Sequence, residues 1–329
     1  MIMSPGNDII FSILTPTWNR GAYLTRVFEG LKSQTLTNFE WIVADDGSND
    51  NTIAVVNAFA KNSNFPVILI QADRHVGKVR VDNESIRQAR GKFIVWCDSD
   101  DCFRPSALQR IWETWLSIPL GEREQFVGIT ALAETTAGII INPFPGVKFK
   151  DVSWNDIAEL YKVSVDMLYC ARSDALKASP FPEVDMVIPE SVVWTAIGNS
   201  LTRLIPEALI VKEYKADHAI SFSGTMSYNR GRAYSLAITT QNLSKYRIPF
   251  SIKFWRLITF IRYSVHGEIA IRTALKLWAK NSSYLSFVCA LPFGLFLVIK
   301  DRLQGKVRYT HREFLLAQHP AKISAKLLN

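Results

Sequence analysis

The sequence predicts an α/β fold with a mostly parallel central sheet, and two observations predict it. Four short apolar runs, at 9–14, 39–44, 66–70 and 93–97, alternate with segments whose apolar residues recur at helical spacing. That alternation is typical of βαβ units, in which a helix connects two parallel strands. Polar clusters also follow three of these runs directly, and parallel sheets bind their ligands beyond the carboxyl ends of the strands.

The elements can be justified in chain order. The first run, IIFSIL, ends at Thr15-Pro16-Thr17, which indicates a buried strand followed by a proline-marked loop. Pro189 and Glu190 suit the first turn of a later helix, and Gly198 can end it. The predicted helices cover residues 21–34, 52–60, 79–90, 104–118 and 188–199.

Positive charge is concentrated near the C-terminal end. The 329 residues carry a formal net charge of +8, but residues 245–329 hold 15 Lys and Arg against 3 Asp and Glu, and the remainder holds 23 against 27. We therefore predict a main domain over 1–244 and a basic, aromatic, mainly helical region over 245–329. The slightly acidic main domain argues against a nucleic-acid-binding module, because phosphate contacts need clustered Lys and Arg.

The C-terminal region contains one long uncharged segment. Residues 281–299 carry no charge and lie between Lys280 and Lys300. A membrane-spanning helix needs about 20 apolar residues, but this segment begins polar and contains Pro292 and Gly294. We favour an interfacial helix pair or a helix buried on the main domain over a span. Contact with an anionic membrane is expected for this region, and a homo-oligomer contact is the alternative.

The cysteines and the first residues predict a location. Cys97, Cys102, Cys170 and Cys289 lack the spacing of a metal site or a disulfide framework, which is typical of a reducing compartment. The first ten residues lack the basic-then-apolar pattern of a secretory signal. With the basic region, these observations predict a cytoplasmic protein at the inner face of the cell membrane.

The acidic run Asp98-Ser99-Asp100-Asp101 directly follows the run at 93–97. Carboxylate oxygens are the ligands that Mg²⁺ and Mn²⁺ prefer, so Asp98, Asp100 and Asp101 are candidate metal ligands. Taken alone, such a run also suits a polar turn or a helix N-terminus before Pro105.

A second acidic cluster follows the run at 39–44. Asp45 and Asp46 could accept hydrogen bonds from a base or a ribose, although Asp-Gly sequences also simply form turns. Trp18, in the loop after the first run, could stack on a nucleobase or pack in the core.

Beyond single clusters, the chain over about residues 8–220 resembles the family 2 inverting glycosyltransferases of the GT-A fold. The segments that carry the resemblance are FSILTPTWNR at 11–20, LKSQTLTNFEWIVADDGSNDNT at 31–52, Gly77-Lys78 with Asn83, GKFIVWCDSDD at 91–101 and PESVVW at 189–194. Their joint order and spacing are specific, whereas each piece alone is weak.

The resemblance implies roles for individual residues. The nucleotide pocket would be lined by Thr15, Thr17 and Trp18, with Asp46 on the base and Asp45 nearby. Asp98 and Asp100 would form the DxD pair that touches the donor and the metal, and Asp101 would share the metal. Glu190 would be the catalytic base, with Asp185 in reserve, and His218 is a weaker candidate for a third metal ligand.

One position departs from the family pattern. Many relatives have an Arg-Asn pair in the helix before the fourth strand, where this chain has Asp82-Asn83. The arginine that would face the diphosphate is absent, so either Lys78 or Arg80 replaces it, with Lys78 favoured, or the phosphate contacts differ. Lys78 equally suits a solvated helix start.

The implied activity is transfer of a sugar from a UDP- or GDP-sugar to a glycan or lipid-linked acceptor in surface polysaccharide synthesis, assisted by Mg²⁺ or Mn²⁺. A nucleotidyltransferase is the main alternative, because it also combines such a sheet with metal-binding carboxylates. It usually opens with a glycine-rich phosphate loop, which residues 11–20 lack. A non-enzymatic membrane or nucleic-acid binding module is less favoured.

Overall fold

A computed structural model describes residues 9–142, 151–159, 167–184, 188–213, 226–245, 248–305 and 322–329. The chain forms two compact units, and both are discontinuous in sequence. The first comprises Met1–Pro180, Ile197–Ala219 and His319–Asn329, and the second comprises Phe181–Ala196 and Ile220–Gln318. These limits differ from the boundary expected between 244 and 245. The C-terminal helices share their unit with earlier parts of the chain, and the last residues return to the sheet.

The first unit is built on one sheet that contains eleven strands in the described residues. The strands are β1 Phe11–Thr17, β2 Phe39–Asp45, β3 Val67–Ala72, β4 Phe93–Trp96, β5 Cys102–Phe103, β6 Phe126–Thr135, β7 Ile140–Ile141, β8 Asp151–Ser153, β9 Leu168–Arg172, β10 Leu201–Lys212 and β11 Ile323–Leu327. The helices of this unit are α1 Leu24–Lys32, α2 Thr52–Lys61, α3 Lys78–Gln88, α4 Ala107–Leu116, α5 Trp154–Glu159 and α6 Ser173–Ala178.

The strand order, β11-β3-β2-β1-β4-β9-β6-β10-β5, confirms the predicted α/β class. The four apolar runs of the sequence are β1 to β4, and they pair in parallel in the order β3-β2-β1-β4. Every residue of β2 and β4 is buried, as expected for strands covered on both faces. Because these four strands run the same way, their carboxyl ends form one edge.

Antiparallel strands extend the sheet on both sides. On one side, β9 pairs antiparallel with β4 and β6. On the other, β11 pairs antiparallel with β3, with Ile323 opposite Ala72. The expectation of a mainly helical C-terminal region therefore missed one strand. Its five residues become a strand because they meet the open edge of β3, which lies some 250 positions earlier in the chain.

The second unit is helical in its described residues. Its helices are α7 Ser191–Ile197, α8 Met226–Asn242, α9 Phe250–His266, α10 Ile271–Trp278 and α11 Tyr284–Leu303. Helix α11 packs along α9 through Gly294, where an added Cβ would lie 2.5 Å from a methyl carbon of Ile261. The uncharged segment 281–299 thus lies in one continuous helix, in which Pro292 is an internal residue, and not in a pair of helices.

A buried ion pair also connects α9 and α11. Asp301 accepts hydrogen bonds from Arg262 Nε at 2.5 Å and Nη2 at 2.7 Å, and its Oδ2 lies 3.0 Å from His266 Nε2. Burial opposes ionisation of this carboxyl, but the bonds from Arg262 and His266 hold the pKa of Asp301 below its usual value.

Candidate functional site

The acidic run lies at the carboxyl edge of the parallel strands. The backbone N–H of Cys97 donates to the Leu14 carbonyl at 2.9 Å, which extends the β1–β4 pairing to the start of the run. On the other side of β1, Thr17 is opposite Asp45 in the register with β2. The three polar clusters predicted from the sequence therefore follow adjacent strands.

Each carboxylate of the acidic run faces a cation. An Arg20 guanidinium nitrogen forms an ion pair with Asp100 Oδ2. Lys212, the last residue of β10, brings its Nζ to 2.7 Å from Asp101 Oδ2 and 3.6 Å from Asp98 Oδ2. Neither cation was predicted as a site residue. Arg20 ends the first quoted segment, FSILTPTWNR, but nothing in the sequence near Lys212 indicates a partner 111 residues away.

Two of these carboxylates, Asp98 and Asp101, differ in exposure and in pKa. The Asp98 side chain is 47 % exposed and that of Asp101 is 4 % exposed. Partial burial opposes ionisation of Asp98, but the charges of Lys212, Lys78 and Arg20 hold the pKa of Asp98 below its usual value. Burial, together with the negative charges of Asp98 and Asp100, raises the pKa of Asp101 to about 7 although Lys212 opposes the shift. Asp98 is therefore the carboxylate best placed to meet a ligand as an anion.

Asp46 is held by the loop before α3. Its Oδ1 accepts hydrogen bonds from the backbone N–H groups of Val76 at 2.7 Å and Gly77 at 3.1 Å. His75 Nδ1 lies 3.0 Å from its Oδ2. Next to it, Gly47 has φ +72°, and an added Cβ would lie 2.1 Å from the Arg74 carbonyl carbon, so only glycine fits this turn. Asp46 thus holds the loop after β2 against the loop before α3. Its contact with a base stays a prediction.

Trp18 stacks on His75. The two rings lie 4.2 Å apart with an interplanar angle of 23°. The loop that carries Trp18 is held in place because Asn19 Oδ1 accepts a hydrogen bond from the Asn49 backbone N–H at 2.8 Å and the Asn19 N–H donates to Ser48 Oγ at 2.8 Å. Trp18 is partly exposed, so the structure gives an aromatic platform at the edge of the sheet. His75 is a site residue that the sequence analysis missed.

Two threonines of β1 were predicted to line the nucleotide pocket. Thr15 is fully buried, and its Oγ1 accepts a hydrogen bond from Trp41 Nε1 at 2.9 Å, which is a contact within the core. Thr17 Oγ1 and Asp45 Oδ1 are buried without a hydrogen-bond partner in the part of the chain that the structure describes. Burial raises the pKa of Asp45, and hydrogen bonds from Ser48 oppose the rise. A buried polar atom without a hydrogen bond lowers stability, so Thr17 Oγ1 and Asp45 Oδ1 are candidates to form hydrogen bonds with a ligand.

Lys78 and Arg80, the residues expected to replace the missing arginine, both form contacts within the protein. Lys78 Nζ lies 2.9 Å from Asp82 Oδ2, one helical turn along α3. Arg80 Nη1 donates to the Val76 carbonyl at 2.8 Å. The Lys78 side chain remains 40 % exposed, so it can still reach an anion. Asp82 therefore neutralises the lysine that the resemblance places at the diphosphate, and this diphosphate contact stays a prediction.

Glu190 belongs to the second unit. It precedes α7, and its carbonyl accepts hydrogen bonds from the N–H groups of Val193 at 3.0 Å and Trp194 at 3.2 Å. The side chain is partly exposed, while Val192 and Val193 beside it are buried. This is the predicted helix start, and the role as a base stays a prediction. Asp185 and His218 lie outside the described residues.

The donor chemistry of the acidic run fits a divalent cation, but its arrangement does so only in part. All three side chains offer the oxygen ligands that Mg²⁺ and Mn²⁺ prefer. Among the described residues, however, no three Asp, Glu, His or Cys side chains converge on a common point. Lys212 Nζ lies between Asp98 and Asp101, so metal binding there requires the ammonium group to move.

The sequence of this region matches a known family. The family model described as glycosyl transferase family 2 matches residues 12–120, which contain β1 to β4 and the acidic run. This part of the chain, about a third of its length, is similar to the family 2 glycosyltransferases. The recognition made from the sequence segments is therefore confirmed for this part of the chain.

Curated relatives are similar to this region over about one hundred residues. Glycosyltransferase GlyG of Streptococcus pneumoniae is 32 % identical over 104 residues, which are 32 % of this chain and 34 % of that protein. TarS of Staphylococcus aureus, a poly(ribitol-phosphate) beta-N-acetylglucosaminyltransferase, is 32 % identical over 101 residues, 30 % of this chain and 18 % of TarS. The chain spans about a third or less of the length of these curated relatives.

Solved structures resemble the chain over a greater length. Residues 1–349 of S. aureus TarS superpose with a TM-score of 0.56 and 16 % identity, over 96 % of this chain and 96 % of that one. Mannosyltransferase PcManGT from Pyrobaculum calidifontis, solved with GDP-Man and Mn²⁺, gives a TM-score of 0.53 at 15 % identity over 92 % of this chain and 85 % of that one. At such identities the likeness concerns the fold alone, and it confirms the predicted GT-A architecture.

Proposed function

We propose that this chain is a metal-dependent inverting glycosyltransferase. It moves a sugar from a nucleotide-diphosphate sugar to a hydroxyl of a glycan or lipid-linked acceptor in surface polysaccharide synthesis. The observation that carries the proposal is the acidic run at 98–101, which follows β4 at the same sheet edge as the Trp18–His75 stack and the Thr17–Asp45 pair, within the region that the family 2 model matches.

The donor contacts follow from these neighbours. Trp18 offers a ring face to the base, and stacking of a base on an aromatic side chain contributes about 1–3 kcal/mol. Asp45 and Thr17 hold buried polar atoms that a ribose or base can satisfy. TarS has been solved with UDP-GlcNAc and PcManGT with GDP-Man, which favours a UDP- or GDP-sugar.

The proposed metal is Mg²⁺ or Mn²⁺, held by Asp98 and Asp100 with Asp101 as a further ligand. When bound, it would supply the positive charge that stabilises the departing diphosphate. Lys78, whose side chain is 40 % exposed at the start of α3, would add a second positive charge there.

Glu190 is the proposed base. As the acceptor oxygen bonds to the anomeric carbon, the bond from that carbon to the diphosphate oxygen breaks. The hydroxyl proton passes to the Glu190 carboxylate, and the nucleoside diphosphate leaves from the opposite face of the sugar. A positioned carboxylate is the group that this step requires.

A donor screen tests the proposal. We expect thermal stabilisation by one of UDP-, GDP-, CMP- and dTDP-sugars, and a larger shift when Mn²⁺ is added. A ligand present at 100 times its Kd stabilises the folded state by about 2.7 kcal/mol.

Trp18→Ala should weaken binding of that donor by about 1–3 kcal/mol, because the stacking face is lost.

The matched control for this screen is Trp255→Ala. Trp255 is 60 % exposed on α9, so its loss should leave the donor shift unchanged. No shift with any of the four sugar nucleotides would contradict the proposed donor class.

A membrane contact is the second part of the proposal, and α11 carries it. One face of α11 packs within the second unit through Phe287, Ala290, Gly294 and Val298. The opposite face exposes a row of large apolar side chains, namely Tyr284, Leu285, Val288, Phe293, Leu295, Phe296, Ile299 and Leu303. Within the described residues, α11 is also the one helix long and apolar enough to cross a membrane, but by length and composition only.

Charge around this face favours an anionic bilayer surface as the partner. Residues 248–305 carry eight Lys and Arg against two Asp and Glu, and one of the two acids, Asp301, is paired with Arg262. Each basic residue near an anionic surface contributes about 1 kcal/mol. We therefore place the enzyme in the cytoplasm, with α11 lying against the inner face of the membrane.

Vesicle flotation tests this contact. The protein should float with vesicles that contain phosphatidylglycerol and much less with pure phosphatidylcholine vesicles. Phe293→Ser combined with Phe296→Ser removes two exposed rings, each worth about 1.5–3 kcal/mol on burial, so binding should fall by at least about tenfold.

Leu120→Ser is the control for flotation, because Leu120 is 79 % exposed in the first unit. Equal flotation of the double variant and the wild type would contradict the membrane contact. So would a stable dimer that forms without lipid and is lost in the double variant, because the exposed face of α11 would then be a contact between two copies.

A further inference from the structure

Lys212 is a buried cation whose place in the acidic run is determined by the sheet. Only 13 % of its side chain is exposed. Strand β10 pairs antiparallel with β5, with Val211 opposite Cys102. Continuing that register by one residue brings Lys212 opposite Asp101. The ammonium group is therefore positioned by strand pairing, and a flexible surface lysine would not be held in this way.

The charge balance of the run depends on Lys212. Asp98, Asp100 and Asp101 bring three carboxylates into four residues. Arg20 pairs with Asp100, and Lys212 lies 2.7 Å from Asp101 and 3.6 Å from Asp98. A buried carboxylate such as Asp101 is costly without a partner. Two of the chain's own cations thus compensate most of the charge that would attract a metal.

We propose that Lys212 is an internal counter-ion that competes with the divalent cation for Asp98 and Asp101 and so sets the metal affinity of the acidic run. The proposal rests on the proposed function only in taking this run as the metal site. A cation coordinated by Asp98 would approach within a few ångströms of the Lys212 ammonium group, and the two positive charges repel each other strongly at that range. Lys212 must withdraw when the metal binds.

The arrangement has a structural consequence as well. With Lys212 in place, the run is charge-compensated and folded before any donor arrives. Without Lys212, Asp101 is a buried carboxyl that lacks its nearest cation, so it loses an ion pair and keeps its negative charge best when a divalent cation binds. Removal of the lysine should therefore lower stability in the absence of metal and increase the stabilisation that metal provides.

The test is Mn²⁺ binding to the full chain without nucleotide, measured from the electron paramagnetic resonance signal of free Mn²⁺, with thermal melts run in parallel. We expect Lys212→Met to bind Mn²⁺ at least about tenfold more tightly than the wild type. We also expect it to melt at a lower temperature without metal and to gain more from Mn²⁺. Lys212→Arg keeps the charge and should keep the weaker wild-type affinity.

Lys61→Met is the matched control, because Lys61 is an exposed lysine at the end of α2 and lies outside the acidic run. Its Mn²⁺ affinity should equal that of the wild type. If the methionine variant does not fold, Lys212→Gln provides the same comparison with a polar side chain. Equal or weaker Mn²⁺ binding by the neutral variant would overturn the proposal.

A separate outcome distinguishes this inference from the proposed function. If neither the wild type nor the neutral variant binds Mn²⁺, but the wild type still transfers sugar without metal, competition at Lys212 is wrong, and sugar transfer stands without the proposed metal dependence.

Discussion

Asp100→Asn is expected to abolish sugar transfer and the Mn²⁺-dependent part of donor binding. The substitution removes one carboxylate charge from the proposed metal site and leaves the Arg20 guanidinium without its ion-pair partner. A metal that stabilises a leaving diphosphate contributes several kcal/mol to the transition state, so kcat/KM should fall by at least about 10²-fold. The measurement is transfer at saturating donor over a series of Mn²⁺ concentrations.

A second substitution in the acidic run is needed, because loss of the Asp100 carboxylate also removes an ion pair of Arg20 and so perturbs the loop after β1. Asp98→Asn changes a side chain that is 47 % exposed and should reduce transfer comparably at a smaller cost in stability. Asp174→Asn is the control, since Asp174 is 65 % exposed in a surface ion pair with Arg172. Normal metal-stimulated turnover by Asp100→Asn would remove Asp100 from the metal site.

Glu190→Gln is expected to stop transfer while leaving donor binding intact. The amide keeps the size of the side chain and the start of α7, but it cannot take the proton of the acceptor hydroxyl. General base catalysis contributes about 10²–10⁴-fold, so kcat should fall within that range while donor affinity changes little. Single-turnover transfer and a donor titration separate the two quantities.

Glu113→Gln serves as the control for this experiment, because Glu113 is 49 % exposed on α4, where it forms a surface ion pair with Arg110 at 3.2 Å. If Glu190→Gln transfers sugar as fast as the wild type, the base lies elsewhere, and Asp185 is the next residue to change. Loss of donor binding together with transfer would instead assign Glu190 to the donor pocket.

The parallel half of the sheet was predictable because its signals are local. The run predicted at 39–44 is β2 at Phe39–Asp45, and the helix predicted at 79–90 is α3 at Lys78–Gln88. Four to seven apolar residues bounded by turn residues are enough to identify a buried strand. The acidic run was recognised in the same way, from its place directly after such a strand.

Contacts between distant segments were not predictable. Strand β11 forms because it pairs with the open edge of β3. Residues 181–196 belong to the second compact unit, and residues 319–329 belong to the first. The hydrogen bonds that the Asp46 carboxylate accepts from the backbone amides of Val76 and Gly77, about thirty residues away, were not predicted either. No local pattern in the sequence encodes these partners.

The sequence by itself determined the α/β class, the family 2 resemblance and the position of the acidic run, because apolar periodicity and turn residues act over a few neighbouring positions. Only the tertiary structure decided the charge state of that run. The register between β10 and β5 brings Lys212 within ion-pair distance of Asp101, and Arg20 reaches Asp100 from the loop after β1. Electrostatic interactions depend on distance in space, which separation along the chain does not reveal.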